Sequence, residues 1–408
     1  MKHLFVWVHR ANGTFKLAGE LAATDAVAGG RFNAEFEYAP DWTSDPTALA
    51  LDPASLPLHP PGRRYTSEQF FPPLSIFEDA LPDDWGRALL ARALRLERRQ
   101  PSLVEMLLRI REVGTGALLF TEDSTTPDPA STLQSTALPT LVTAAEEFEA
   151  GTLHEESVFR KLLEGSSRAG GARPKALVHD AAGNEWLAKF PSLTRDGAHD
   201  VVGLEAVCLE LARKAGLVVP GSQLQAIGKR RVLLVRRFDV TPEGGRFHMI
   251  SMRTLCKERP GLYVTGYSDL ARVLDKHSAS PVADVAMLFR HMAFNATIGN
   301  VDDHLKNFWM LATSSGYRLA PAFDLVPDIS ARGEHTLSFQ YNFGCPTREQ
   351  LLAVASDWGV ADAQDTLNQI TAVVSAFAPT AHQMEVGGNV SLESIQADIR
   401  RRLKLLTP

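Results

Sequence analysis

Between residues 282 and 300 the chain reads VADVAMLFRHMAFNATIGN, and Val282, Val285, Ala286, Phe289, Met292, Ala293 and Ala296 return at the spacing of one helical face. So apolar a stripe has to be buried, which commits the second half of the chain to a helical core. The next stretch is its chemical opposite. IGNVDDHLKNF, Ile298 to Phe308, gathers two aspartates, a histidine, a lysine and an asparagine in one short segment.

The first half has a different texture. KHLFVWVH is β-rich and meets a turn at ANGT, so the chain is expected to open with a hairpin. Residues 40–75 carry many prolines (ASLPLHPPG, FFPPLS), which suits extended surface segments more than helix. LPDDWGRALLARALRLERRQ reads as a helix, with Pro82 near its start and arginines at its end, where the dipole favours cations. TEDSTTPDPASTLQSTALPT, residues 121–140, is rich in Ser, Thr and Pro and reads as a linker or long surface loop. Beyond it PKALVHD, EWLAKF and RRVLLVRRF read as strands. VGLEAVCLELARKAGL, between the second and third, sets Leu204, Val207, Cys208 and Leu211 at helical spacing and stops at Gly216. After residue 260 the chain is mostly helical, including REQLLAVASDWG and LESIQADIRRRLKLL. The expected class is α+β, with a β-rich domain over 1–120, a linker over 121–140, a small lobe over 141–240 and a large helical lobe over 241–408.

Composition excludes several functions. A chain of 408 residues is long for one core and suggests two or three packed units. A net charge of −6 argues against binding nucleic acid through overall charge, although a local basic patch stays open. Cys208, Cys256 and Cys345 are too few and too scattered for a disulfide framework or a zinc ligand set. No apolar run reaches the roughly 18 residues of a membrane span, and the N-terminal apolar stretch is short for a signal peptide. The expected location is the cytoplasm, away from membranes.

DDHLKNF has the residue types that moving a phosphoryl group from ATP requires: a carboxylate to orient the acceptor and oxygen ligands for magnesium. Asp302 and Asn307 stand five residues apart, the protein-kinase spacing, whereas Asp303 and Asn307 do not. Asp302 is therefore the candidate base and Asn307 a candidate metal ligand. Lys306 is placed to offset charge developing on the γ-phosphate. RLAPAFDLVPD supplies Asp324, after an apolar strand-like run, as the second metal ligand.

The upstream parts follow in kinase order. GSSRAGGARPK, residues 165–175, is a Gly-rich segment beside strands, with Gly170, Gly171, Ala172 and Lys175 as nucleotide-covering candidates. It is not a Walker A motif, since the Gly-Lys-Ser/Thr ending is missing. Lys189 in EWLAKFP is the candidate for the α- and β-phosphates. Glu205 in the next helix is its candidate partner, with Glu210 as a rival. LLVRRFD, residues 233–239, brings Arg236, Phe238 and Asp239 to an adenine hinge, and His304 joins the nucleotide set. Each piece alone has a plainer reading: a snorkelling lysine, a first-turn carboxylate, a turn with a helix cap, a structural histidine. Their common order is what argues for kinase chemistry.

GGARPKALV, LAKFP, RRFD, GNVDDHLKNF and LAPAFDLVP together resemble the HipA family of serine/threonine kinase toxins, and the resemblance extends over nearly the whole chain. It implies a protein-kinase-like (phosphoinositide-kinase-like) bilobal fold, use of ATP and Mg²⁺, and a bacterial toxin–antitoxin system. The implied substrate is a translation protein such as an aminoacyl-tRNA synthetase. The implied partner is a small helix-turn-helix antitoxin (HipB-like), through which alone the system touches DNA. It also implies autophosphorylation in the Gly-rich loop. Arg168 occupies the position aligned with the modified serine, and Ser166 and Ser167 immediately before it are the candidates. The Asp-x-His-x-x-Asn pattern keeps a lipid or small-molecule phosphotransferase open as an alternative, and a catalytically silent scaffold or co-repressor is the non-enzymatic one.

Overall fold

The computed structural model describes residues 2–24, 34–58, 61–66, 74–82, 84–93, 103–109, 115–127, 137–166, 173–257, 265–340, 342–387 and 392–408. They fall into two compact units. One comprises residues 1–192, 236–259 and 311–316; the other comprises 193–235, 260–310 and 317–408. Both sides of the segment 121–140 belong to the first unit.

In the first unit the expected opening hairpin forms from Lys2–His9 and Phe15–Ala23. It grows into a five-stranded antiparallel sheet, with Ala34–Tyr38 and Arg64–Thr66 beyond Phe15–Ala23, and Leu118–Thr121 on the other side of Lys2–His9. Alternation buries Leu4, Val6, Leu21, Phe36 and Phe120 on one face, where Phe77 packs on Phe36 and Phe120. The proline-rich stretch is mostly irregular where described, pinned by Tyr38, whose hydroxyl donates to Leu56 O (2.8 Å) and accepts from Leu51 N–H (2.8 Å). Helices Asp84–Ala93, Leu138–Glu149 and Glu156–Ser166 pack through Trp85, Phe148 and Phe159, and the Arg92 guanidinium lies 4.6 Å from the Phe159 ring centre. The hairpin Lys175–His179/Glu185–Lys189 also belongs to this unit.

The second unit holds the helix Val201–Lys214, capped by Asp200 on Gly203 N–H (3.0 Å), and the hairpin Ser222–Ile227/Arg230–Arg236, whose last residue lies in the first unit. The helix Pro281–Ile298 is its core, packed by Tyr267–His277, Ala363–Val374 and Glu393–Leu406. One expectation fails: Val282 is 84% exposed. It sits in the first turn, before the helix enters the core, whereas every residue from His291 to Ile298 is buried. The pattern is one-sided at the start and all-round at the end, which a single stripe does not capture. Among the described residues no helix is long and apolar enough to cross a membrane.

Candidate functional site

The core helix stops at Gly299, whose φ of +77° turns the chain out of the helix. A side chain there would have its Cβ 3.0 Å from Arg402 Nε. The loop that follows ends in a 3-10 turn, Leu305–Asn307. Its two aspartates have opposite surroundings. Asp303 is fully buried. One of its oxygens accepts from the Tyr267 hydroxyl (2.5 Å) and lies 2.9 Å from His335 Nδ1; the other accepts from the N–H groups of Thr336 (2.8 Å) and Leu337 (3.3 Å). Asp303 is thus an anchor. Asp302 is exposed, and Arg332 Nη2 stands 3.3 Å from its Oδ1. An ion pair this exposed is worth less than about 1 kcal/mol and leaves the carboxylate accessible.

Asn307 is buried and donates Nδ2 to the backbone oxygen of Asp302 (2.7 Å), so its Oδ1 is turned elsewhere. Its own N–H donates to His304 O (2.8 Å), and Trp309 Nε1 donates to Lys306 O (2.6 Å), which fixes the backbone on either side of the lysine. Asp324 adopts φ +57°, the left-handed region that costs a non-glycine residue about 1 kcal/mol or more. The strand Gly316–Leu319 has already ended, so Asp324 lies within an irregular segment and not at a strand end as expected. That segment is stitched along the loop: Asp328 N–H donates to Gly299 O (2.8 Å) and Thr336 N–H to Val301 O (3.0 Å).

On the helix Val201–Lys214 the two glutamates also differ. Glu205 is buried, and its charge joins desolvation in pushing the Cys208 thiol pKa up. Glu210 is turned outward, held by Arg213 (2.7 Å) and Lys214 (3.2 Å) of its own helix.

In the first unit Lys175 and Lys189 face each other across one rung of their hairpin, and Lys175 is 3% exposed. Along the hinge stretch Arg236 is exposed, with Nη2 3.1 Å from Asn184 Oδ1. Phe238 is half-buried and Asp239 buried. The Asp239 carboxylate accepts from Arg237 Nε (2.9 Å), from Arg237 Nη2 and from Gly116 N–H (3.0 Å). Burial pushes its pKa up, but the Arg237 guanidinium outweighs burial and holds it below the usual range. That carboxylate is committed to contacts within the protein, although the sequence placed Asp239 among the nucleotide-binding candidates. Glu185 and Arg246 (2.6 Å) complete the cluster.

Ser166 is the last residue of the helix Glu156–Ser166. Ser167, Gly170, Gly171 and Ala172 lie outside the described residues. Sequence reasoning missed Tyr267, Arg332, His335 and Arg402 in the second unit and Glu185, Arg237 and Arg246 in the first. Arg402 did carry a signal, since it falls on the buried stripe of Ile395, Ile399 and Leu406.

Among the described residues no group of three or more His, Cys, Asp or Glu could hold a metal ion. The amide oxygen of Asn307 and the carboxylate of Asp324 are hard-oxygen donor types of the kind that Mg²⁺ would take beside waters and substrate phosphates.

The fold is that of the protein-kinase-like α+β class expected from the sequence. It resembles HipA in a complex of the Shewanella oneidensis MR-1 toxin–antitoxin system with HipB and operator DNA, at TM-score 0.66 and 17% identity, over 97% of this chain and 95% of that one. The family models for the HipA N-terminal domain and the HipA-like C-terminal domain match residues 13–121 and 167–381. The chain belongs to the HipA family. Two relatives from Sinorhizobium fredii (strain NBRC 101917 / NGR234) are named as candidate kinases: Y4mE, 27% identical over 73% of this chain and 74% of its own length, and Y4dM, 31% identical over 40% and 42%.

Proposed function

We propose that this chain is an ATP- and Mg²⁺-dependent serine/threonine protein kinase that acts as the toxin of a bacterial toxin–antitoxin system in the cytoplasm. One observation carries the reading. The DDHLKNF loop buries Asp303 and leaves Asp302 open, with Asn307 folded back onto the Asp302 carbonyl. That is the arrangement a phosphotransfer loop needs: one anchored carboxylate, one presented to an acceptor hydroxyl, and an amide oxygen left to ligate a metal.

In this reading Asp302 orients the acceptor hydroxyl and takes its proton, while Lys306 offsets negative charge at the transferring group. Asn307 and Asp324 hold magnesium, which supplies charge neutralisation along the phosphates. Lys175 and Lys189 bind phosphate oxygens, and Glu205 is the helical carboxylate of the kinase set. Gly170, Gly171 and Ala172 cover the nucleotide, and Arg236, Phe238 and His304 line its base and sugar side, with the Asp239 carboxylate holding the hinge backbone from within. Ser166 or Ser167 is the autophosphorylation site; a phosphate there adds about −1.5 to −2 charge beside the nucleotide phosphates and disfavours ATP. The family supports a HipB-like helix-turn-helix antitoxin as partner, contact with operator DNA through it, and a translation protein as substrate.

The test is incubation of the purified chain with γ-labelled Mg·ATP. Wild type transfers label to protein. Asp302→Asn loses about 10²–10⁴ of that rate while keeping antitoxin binding. Equal silence of the two proteins, or label passing to lipid or small molecules alone, removes the reading.

A further inference from the structure

Arg402 is the largest fully buried side chain among the described residues. A buried guanidinium is an expensive way to fill a core, since an apolar side chain of similar volume usually does so with equal or better stability. Its contacts indicate a more specific task. Nε donates to Asp398 Oδ2 (2.6 Å), and Nη1 donates to Ala296 O (3.2 Å) and lies 3.0 Å from His335 Nε2. A guanidinium has no lone pair to offer, so His335 Nε2 must be the acceptor. The imidazole proton therefore sits on Nδ1, which donates to Asp303 Oδ2 at 2.9 Å.

From the other side Asn300 Nδ2 donates to Asn295 Oδ1 (3.1 Å), Asn295 Nδ2 to the Tyr267 hydroxyl (3.0 Å), and that hydroxyl to Asp303 Oδ2 (2.5 Å). Two chains of donors thus converge on one carboxylate, the neighbour of Asp302. The backbone N–H groups of Thr336 and Leu337 fill its other oxygen.

We propose that His335, Arg402 and Tyr267 are positioning residues for phosphoryl transfer: by saturating Asp303 they fix the loop backbone so that Asp302 is presented at one angle. This rests on the kinase reading of the loop. None of the three touches the reacting atoms. Arg402 sets the His335 tautomer, His335 and Tyr267 orient Asp303, and Asp303 ties the loop to the segment 335–337. A misplacement of a catalytic group by about 1 Å can lower a rate by about 10²-fold.

The experiment compares His335→Leu, which keeps bulk and removes both nitrogens, with His335→Asn, whose Nδ2 can still donate to Asp303. Label transfer at saturating Mg·ATP is measured beside ATP affinity by calorimetry, folding by circular dichroism, and amide exchange of residues 300–308. His335→Leu is expected to lose about tenfold or more in turnover, with ATP affinity within about twofold and faster loop exchange. His335→Asn is expected to recover a large part of both turnover and protection. A folded His335→Leu with wild-type turnover overturns the proposal, and so do Leu and Asn variants equally impaired with unchanged loop exchange. If His335→Leu does not fold, Tyr267→Phe, which removes a single oxygen, decides by the same readouts. If wild type itself transfers no label, the kinase reading fails separately, and loop exchange in the variants still shows whether the network holds the loop.

Discussion

In the first unit the stretch Arg236–Asp239 is held mainly by charge; in the second the loop of residues 301–307 is held mainly by directional hydrogen bonds. Two arginines and two carboxylates, Arg237, Arg246, Glu185 and Asp239, make the first cluster, and Arg246 Nε, Arg246 Nη1 and Glu185 Oε2 have no hydrogen-bond partner among the described residues. Around Asp303 both oxygens accept two hydrogen bonds each, although Arg402 Nη2 and Asn300 Oδ1 have no hydrogen-bond partner among the described residues. Charge pairing tolerates imperfect geometry because Coulomb attraction falls off slowly in a low-dielectric interior. A hydrogen-bonded anchor demands every donor in place. The charged cluster is therefore a general clamp, and the Asp303 network is a device for fixing an angle.

The sharpest way to break this contrast is pairwise deletion. Asp239→Ala and Asp303→Asn should each destabilise by about 3–5 kcal/mol in denaturant titrations, the first by stranding a guanidinium and the second by facing an amide with four donors. Removing both partners should separate them. Arg237→Met with Asp239→Leu should regain part of the loss, because only the Gly116 N–H loses its acceptor and Glu185 keeps Arg246. His335→Leu with Asp303→Leu should not, because the N–H groups of Thr336 and Leu337 stay unpaired. Equal recovery in both pairs would erase the distinction.

Acid offers the next largest effect. His248 in the first unit and His291 in the second are buried, and burial lowers the pKa of each to about 4. In the unfolded chain these groups take up protons near pH 6.5, so stability falls as pH drops from about 6.5 toward 4, by up to the order of 3 kcal/mol for each. The Asp239 carboxyl titrates below its ordinary value, so its contribution is intact above about pH 4 and is lost only in stronger acid. Thermal melts across this range should fall with acid. A flat profile between pH 6.5 and 4.5 would mean that neither histidine is buried in its neutral form.

Within the nucleotide half, Lys189→Ala should weaken ATP binding by about 1.5–3 kcal/mol, the range for a charge-assisted hydrogen bond. Unchanged affinity would take the lysine rung out of the site. The smallest effect belongs to Arg332→Ala, which should change stability by no more than about 0.5 kcal/mol, since its pair with Asp302 is solvent-exposed. A larger loss would show that Arg332 helps hold the loop.

Much of the local structure was legible because it depends on neighbours in sequence. The opening hairpin, the helix ending before Gly216 and the core helix followed by DDHLKNF all come from periods of two or 3.6 residues and from glycine stops. The five-residue spacing also singled out Asp302 over Asp303, but did not show that Asp302 is exposed and Asp303 buried. The supports were not legible. Asp303 meets Tyr267 and His335 across 36 and 32 residues, and His335 meets Arg402 across 67.

By itself, then, the sequence determined which segments are strand or helix and which polar residues stand ready in the DDHLKNF loop, because backbone periodicity and residue spacing are short-range properties. Only the tertiary structure decided which of two adjacent carboxylates is locked and which is exposed, which nitrogen of His335 carries the proton, and why an arginine sits in a core. Those outcomes depend on donors brought together from distant segments and on the loss of water around them, which no local pattern records.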